Sequence, residues 1–220
     1  FGGAQSPTAS AAPAAPLAPA RGIASGAPLG LSNTDQANQY MVDQLGGTAY
    51  NGDAGSTGTL DCGPASAVMA LSRLGLVPPP TAATAESEIL DQRYQMHGQG
   101  SASQDTTWDQ EARGLQAAGA TTKMIPETTQ SIDAALARGS AVIIGGDPNR
   151  AWEGRLSAAG QYQESGDFGH FCTVLGKTAD GHYVVNDPLS SAGSITVSAQ
   201  ELKDYLSYPS FHGAMEVSRG

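Results

Sequence analysis

Apolar residues recur at helical spacing in three parts of the chain, and each part carries its own end signals. The first predicted helix starts at Asn33 or Thr34 and runs to residue 45, where two glycines end it. The second spans residues 64–74, with a proline in its first turn and a glycine followed by three prolines after it. A third, around residues 131–137, ends before Gly139.

Two further helix starts are predicted from capping boxes. In each, a hydroxyl residue precedes the helix and a Gln or Glu follows three positions later, so that each side chain accepts a hydrogen bond from the backbone amide of the other. The two boxes are Thr107–Gln110 and Ser198–Glu201. They fix where two helices begin without requiring an apolar pattern.

Strand patterns dominate the second half of the chain. Residues 141–144 form a continuous apolar run, which indicates a buried strand. Residues 171–177 and 182–186 predict a hairpin, with an Asp-Gly turn whose positive φ angles suit such a loop. Residues 193–197 and 213–217 predict two more strands. Helices followed by an antiparallel sheet are typical of an α+β domain.

Composition divides the chain into a tail and one domain. Residues 1–31 are rich in Ala, Pro, Gly and Ser and predict a disordered linker or tail. Residues 32–220 suffice for a single domain with a buried core, since 40% of the chain is hydrophobic.

Charge and cysteine content exclude several classes of function. With a formal net charge of −10, the average surface repels phosphate backbones, so nucleic acid is not expected as a partner. No apolar run approaches the roughly 20 residues that span a bilayer, so no integral membrane segment is expected. The 2 cysteines are too few for paired zinc hooks or a disulfide scaffold. Neither a metal nor another cofactor is expected.

Three short motifs supply the groups of a cysteine hydrolase. Cys62 lies at the head of the second helix, His170 opens a predicted strand, and Asp187 closes the next strand. A thiol nucleophile, an imidazole base and a carboxylate that orients the base are the set that acyl transfer needs. A helix N-terminus favours the thiolate form of a cysteine. In the hairpin, His170 and Asp187 lie near the same open end, so the carboxylate could reach the imidazole.

The residues next to Cys62 and His170 suggest how a substrate could bind. Gly63 has no Cβ and would let a substrate carbonyl approach, and the backbone amide of Cys62 is a candidate oxyanion donor. Gly169 is a further candidate for substrate contact. Asn186 points to the opposite strand face from Asp187 and is interpreted as structural, with a fallback role as orienter.

These motifs resemble the papain-fold cysteine peptidases related to the bacteriocin-processing (double-glycine leader) peptidases. The resemblance lies in the segments Asp61-Cys62-Gly63-Pro64-Ala65-Ser66, Gly169-His170-Phe171 and Tyr183-Val184-Val185-Asn186-Asp187-Pro188, within residues 35–217. It implies a papain-like fold and a catalytic triad of Cys62, His170 and Asp187. That family usually carries a Gln about six residues before the nucleophile as an oxyanion donor. Ser56 occupies that place here, and Asn51 is the alternative donor if the segment has a short insertion.

Cys172 lies two positions after His170 on the same strand. Its side chain is therefore expected to face the same side as the imidazole. The preferred interpretation is a packed core thiol. A disulfide between Cys62 and Cys172, which would silence the enzyme until reduced, is the alternative.

A polar segment between residues 147 and 167 leads into His170. It carries Trp152 and Tyr162, and long segments of this kind in compact domains are usually functional or disordered. The hypothesis is a substrate-binding lid, and a solvated insertion is the alternative.

Two classes of function follow from the sequence. The first is a cysteine peptidase that forms a thioester acyl-enzyme on peptides, proteins or peptidoglycan, or an amidase or acyltransferase with the same groups. The second is a peptide-binding module on a degenerate papain-like fold, motivated by the missing Gln. The Ala/Pro-rich start suits a domain of a secreted or translocated bacterial toxin or effector, for which an inhibitor or immunity protein is a conceivable partner.

Overall fold

A computed structural model describes residues 30–45, 60–98, 105–152 and 168–220. The helices in these ranges are α1 (Thr34–Asn38), α2 (Cys62–Arg73), α3 (Ala85–His97), α4 (Trp108–Ala117), α5 (Thr129–Ala137) and α6 (Ala199–Leu206). The strands are β1 (Ala120–Ile125), β2 (Ala141–Gly146), β3 (His170–Lys177), β4 (Tyr183–Asn186), β5 (Ile195–Val197) and β6 (Gly213–Arg219). They form one six-stranded sheet in the order β1-β6-β2-β3-β4-β5, and all neighbouring pairs are antiparallel.

The strand side chains alternate between two buried layers, one on each face of the sheet. The α2-side core contains apolar residues of α2 together with Ile143, Phe171, Leu175, Val184 and Met215. The α6-side core contains residues of α5 and α6 together with Val142, Ile144, Cys172, Val174 and Val185. Successive β3 residues thus face different layers, which determines where each candidate site residue points.

The expected α+β class is confirmed, and most predicted elements are present. Both capping boxes form, with the hydroxyls of Thr107 and Ser198 accepting from the amides of Gln110 and Glu201. Strand β2 is buried along its length, as its apolar run predicts. The β3–β4 hairpin is present, but among its turn residues only Gly181 has a positive φ, at 90°. The turn at residues 179–181 is confirmed as a three-residue loop that ends in a left-handed glycine, but the positive φ expected at Asp180 is wrong.

Several boundaries differ from the prediction. Helix α1 ends at Asn38 rather than at residue 45, and α2 begins at Cys62, two residues before Pro64. Strand β5 starts at Ile195, later than predicted. Leu31, which was assigned to the tail, forms a parallel bridge with Gly176 of β3.

Helix α3 and strand β1 were not predicted, and both are polar. Helix α3 buries Gln92 and Arg93 beside Ile89 and Met96, which hides its apolar face in the sequence. Strand β1 is an edge strand with mostly half-buried or exposed positions, and it pairs with β6. Helices cover both sheet faces, since α5 and α6 pack opposite α2. None of the helices in the described part of the chain has the length and apolar character needed to cross a bilayer.

Candidate active site

Cys62 is the first residue of α2, and a side chain of α3 holds the turn before it in place. The Asp61 carboxylate is fully buried and paired with the buried guanidinium of Arg93. The same guanidinium donates to the carbonyl oxygen of Leu60 at 2.6 Å. The backbone carbonyl oxygen of Asp61 accepts the first hydrogen bond of α2, from the amide of Ala65 at 2.8 Å. The half-buried Cys62 therefore lies at a rigid helix start, where free backbone amides favour an anionic group.

His170 and Asp187 contact each other as predicted from the hairpin. The pairing of Thr173 with Asn186 brings the start of β3 and the end of β4 to the same end of the sheet. There, His170 Nε2 lies 2.7 Å from Asp187 Oδ1. Both side chains are buried, with 2% and 0% exposed area. Among the described residues, the imidazole also contacts the Cys172 side chain, and it forms no hydrogen bond with Cys62.

Asp187 is held by two further donors. The indole Nε1 of Trp152 donates to Oδ2 at 2.8 Å, and the backbone amide of Leu189 donates to Oδ1 at 2.9 Å. Trp152 also stacks on Tyr205, with ring centroids 4.4 Å apart. The carboxylate is thus fixed in orientation before any substrate binds.

Burial and charge act in opposite directions on this pair. Burial lowers the pKa of His170, but the neighbouring Asp187 carboxylate and its hydrogen bond outweigh it, so the pKa lies well above the ordinary value of 6.5. Burial raises the pKa of Asp187, while the charge and hydrogen bond of His170 lower it more, and the net shift is downward from 3.8. Both shifts favour an imidazolium–carboxylate pair.

The start of α2 lies beside the start of β3. The hydroxyl of Thr173 donates to the carbonyl oxygen of Ser66, one turn after Cys62, at 3.0 Å. Phe171, next to His170, has its ring centroid 4.8 Å from that of Trp108, in the first turn of α4, and Glu111 of that helix abuts Gly63. These contacts bring Cys62 to the end of the sheet that carries His170.

Cys172 lies in the α6-side core, whereas Cys62 packs against the α2-side core. Both are free thiols. This separation supports the interpretation of Cys172 as a core thiol over the disulfide alternative. Burial, with a smaller effect of Asp187, raises the pKa of Cys172 to about 12, so it stays a thiol at neutral pH.

His170, Cys172 and Asp187 also meet a geometric condition for metal binding, since one candidate ligand atom from each lies within 4.8 Å of the others. Their polar atoms already contact one another or protein donors. Tyr205 Oη donates to the His170 carbonyl oxygen at 2.6 Å and lies 3.3 Å from Cys172 Sγ. The arrangement therefore fits a hydrogen-bonded imidazole–carboxylate pair better than a metal centre.

Other predicted site residues have different surroundings from those expected. A methyl group on Gly63 would lie 2.7 Å from Thr106 Cβ and 2.8 Å from Glu111 Oε2, so protein fills the space reserved for a substrate carbonyl. Trp152 is only 2% exposed, which suits a residue that fixes Asp187 better than one that binds substrate. Gly169 is exposed, as substrate contact requires. Asn51, Ser56 and Tyr162 lie outside the described residues.

Asn186 has the structural role assigned to it. Its Nδ2 donates to the Ala37 carbonyl oxygen at 3.1 Å, and its Oδ1 accepts from Ser194, on the face opposite Asp187. It ties α1 to β4 and does not contact the imidazole.

Three supporting residues escaped the sequence interpretation, namely Arg93, Glu111 and Tyr205. Trp152 was assigned to a lid, so its contact with Asp187 was missed. Each of the four lies far along the chain from the motif it supports, and no local pattern marks it. The one available signal was Glu111, an acidic residue on the apolar side of the capped helix, three positions after Trp108.

A model of the Peptidase_C39 like family matches residues 33–215. Among solved structures, the chain is similar to the peptidase domain of Streptococcus ComA, a bi-functional ABC transporter involved in a quorum sensing pathway. The identity is 15%, the match covers 74% of this chain and 93% of that chain, and the TM-score is 0.49. No curated protein matches the sequence.

Proposed function

Because the chain belongs to the Peptidase_C39 like family, a cysteine peptidase family, we propose that it cleaves peptide bonds with Cys62 as the nucleophile. His170 is the acid and base, and Asp187 orients it. The observation that carries this proposal is the buried 2.7 Å contact between His170 Nε2 and Asp187 Oδ1, at the end of the sheet beside the start of α2.

The chemistry follows from the protonation of this pair. The raised pKa of His170 favours an imidazolium, which leaves Cys62 as the group to supply a thiolate. The thiolate attacks the peptide carbonyl carbon, and the carbonyl oxygen becomes an oxyanion near the backbone amide of Cys62. His170 then gives its proton to the leaving nitrogen, the C–N bond breaks, and a thioester on Cys62 remains.

Deacylation returns the enzyme to its starting state. The neutral imidazole takes a proton from water, and the resulting hydroxide attacks the thioester carbonyl carbon. The C–S bond breaks, which releases the carboxylic acid product and restores the thiolate and imidazolium. An amine in place of water would give acyl transfer by the same route.

A side-chain oxyanion donor remains a prediction. Asn51 is the first candidate and Ser56 the second, and each can be replaced by Ala without changing charge. Loss of one such donor typically lowers kcat by about 10²–10³-fold. Each variant is the control for the other. The donor is the residue whose replacement lowers kcat by this factor.

We propose that the substrate is a peptide, a protein or a peptidoglycan stem peptide. The predicted export and toxin role rests on composition alone. Exposure of cell envelope and of a proteome to the enzyme, followed by mass spectrometry of new termini, would separate these substrates. New termini in neither pool would leave the toxin role without support.

The activity is tested with three variants and a thiol-directed probe. We expect Cys62→Ala and His170→Ala to abolish cleavage with the fold intact, while Cys172→Ala, the matched control, keeps most activity. An epoxide or thioester probe should label Cys62 in reduced protein. A folded protein with neither adduct nor cleavage would instead favour the peptide-binding module.

A further inference from the structure

Glu111 is a buried acid that the mechanism above does not use. It lies on α4, its side chain has 0% exposed area, and neither carboxyl oxygen has a hydrogen-bond partner among the described residues. It faces the start of α2, because a methyl group on Gly63 would lie 2.8 Å from Oε2. A buried, unpaired polar group costs about 1–3 kcal/mol, so its retention calls for a physical reason.

The charged groups around Glu111 are engaged elsewhere. From α3, Arg93 pairs with Asp61, and His97 contacts the Thr106 hydroxyl through Nε2 at 3.1 Å. On α4 itself, Arg113 donates to a backbone carbonyl oxygen of α3 at 3.1 Å. None of these three side chains forms a hydrogen bond with the Glu111 carboxyl within the described ranges. From α2, the titratable neighbour is Cys62, which precedes Gly63 in the chain.

An isolated buried carboxylate is far less stable than the neutral acid. Burial first, and the negative charge of ionised Cys62 second, raise the pKa of Glu111 well above 4.5. By reciprocity, a carboxylate at this position would oppose ionisation of Cys62 by the same free energy. A neutral acid adds no such charge.

We propose that Glu111 and Cys62 form a coupled acid pair beside Gly63, in which Glu111 stays neutral while Cys62 ionises. This proposal rests on Cys62 being the nucleophile of the proposed function. The pair holds two protons at low pH. It holds one in the working state, in which Cys62 is a thiolate and Glu111 keeps its proton. The second proton leaves at higher pH and gives two adjacent anions.

The coupling predicts that Glu111 responds to the charge on Cys62 rather than only to its own burial. Replacing Cys62 with a side chain that never ionises removes the opposing charge, so Glu111 should then lose its proton at lower pH. Groups coupled in this way typically shift each other by about one pH unit or more.

The test is a carboxyl titration of the full chain by ¹³C NMR with labelled Glu and Asp, for wild type and Cys62→Ser. The Glu111 signal is assigned by its absence in Glu111→Gln. We expect Glu111 to be protonated at pH 7 in wild type and to titrate at least about one pH unit lower in Cys62→Ser. The exposed Asp109 carboxyl on the same helix is the internal control and should not move.

Two results would overturn the proposal: a Glu111 carboxylate at pH 7, or the same titration midpoint in both proteins. If Cys62→Ser does not fold, wild type with Cys62 carbamidomethylated also carries an uncharged side chain at this position. The titration does not depend on turnover. A coupled Glu111 without Cys62-dependent cleavage would refute the proposed function alone, and Cys62-dependent cleavage without coupling would refute this inference alone.

Discussion

The indole Nε1 of Trp152 donates to Asp187 Oδ2 at 2.8 Å, the carboxylate oxygen that does not face His170. Trp152 comes from the segment after β2, whereas Asp187 ends β4, so the contact joins two distant parts of the chain. Because the indole stacks on Tyr205, its position is itself fixed by packing. The orientation of the imidazole thus depends on a residue that does not touch it.

Trp152→Phe is expected to weaken activity more than stability alone would explain. The variant keeps an aromatic ring against Tyr205 but removes the donor to Asp187, which leaves the carboxylate less firmly oriented. A loss of about 1.4 kcal/mol in transition-state stabilisation lowers kcat/KM about tenfold. Steady-state kinetics on a peptide substrate measures this.

Trp108→Phe is the matched control for this substitution. Trp108 is the other tryptophan of the chain, and its Nε1 donates to the His212 carbonyl oxygen at 3.2 Å, away from Asp187. Equal losses of kcat/KM in the two variants would show that the bond to Asp187 has no special role.

Asp187→Asn is expected to lower the pKa of His170. The amide has nearly the same shape but lacks the charge that stabilises the imidazolium. Nothing of comparable size then offsets the lowering of the His170 pKa by burial. NMR titration of the imidazole signals measures the shift, with half-buried His182 in the same spectra as reference. We expect activity to fall by up to about 10⁴-fold, as on loss of a triad carboxylate. An unchanged His170 titration would contradict the ion pair.

The same pair makes a prediction about stability and pH. The raised pKa of His170 contributes stability that is complete below the unfolded value near 6.5 and is lost as pH rises through the folded value. The lowered pKa of Asp187 contributes stability that is present above 3.8 and is lost as pH falls. Urea unfolding should therefore show the largest difference between wild type and Asp187→Asn between about pH 4 and 6.5. A difference that does not vary with pH would contradict it.

Local signals in the sequence were enough to predict the elements that carry the motifs. The capping boxes identify the starts of α4 and α6, and the apolar runs identify β2 and the β3–β4 hairpin. The pairing of the two strands determines which residues lie at the open end of the hairpin. The contact between His170 and Asp187 could therefore be predicted without tertiary information. These features depend on residues that are close in sequence.

What the sequence did not predict depends on tertiary packing. Helix α3 pairs Arg93 with Asp61, 32 residues earlier, so the arginine that anchors the turn before Cys62 resembles a solvent-facing residue in the sequence. Gly63 was interpreted as space for substrate because nothing near it in sequence indicates that α4 would fill that space. Trp152 was assigned to a lid for the same reason.

The two cysteines are expected to differ in reactivity. Cys62 is half-buried, whereas Cys172 is fully buried with its pKa raised to about 12. Native wild type should react with one equivalent of a thiol reagent such as DTNB at neutral pH, and with two in urea. Cys62→Ala should show no fast reaction, and Cys172→Ala should match wild type. Fast reaction of both native thiols would contradict the buried position of Cys172.

Glu111→Gln is expected to stabilise the fold increasingly as pH rises. The folded pKa of Glu111 lies well above the unfolded value of 4.5, so its contribution is fully present below pH 4.5. As pH rises from there toward the folded pKa, wild type loses stability by about 1.4 kcal/mol per pH unit from this group. Gln never ionises, so the variant avoids that loss, while its own unpaired amide adds a cost that does not change with pH.

The measurement is the free energy of unfolding in urea at several pH values between 4 and 8, with Asp109→Asn as the control. Asp109 lies on the same helix and carries the same charge, but it is exposed. The difference between Glu111→Gln and wild type should grow with pH, whereas Asp109→Asn should show no comparable trend. A difference that stays flat above pH 4.5 would mean that Glu111 ionises in the folded protein as readily as in the unfolded chain. The conclusion that Glu111 is a buried neutral acid beside Gly63 would then be wrong.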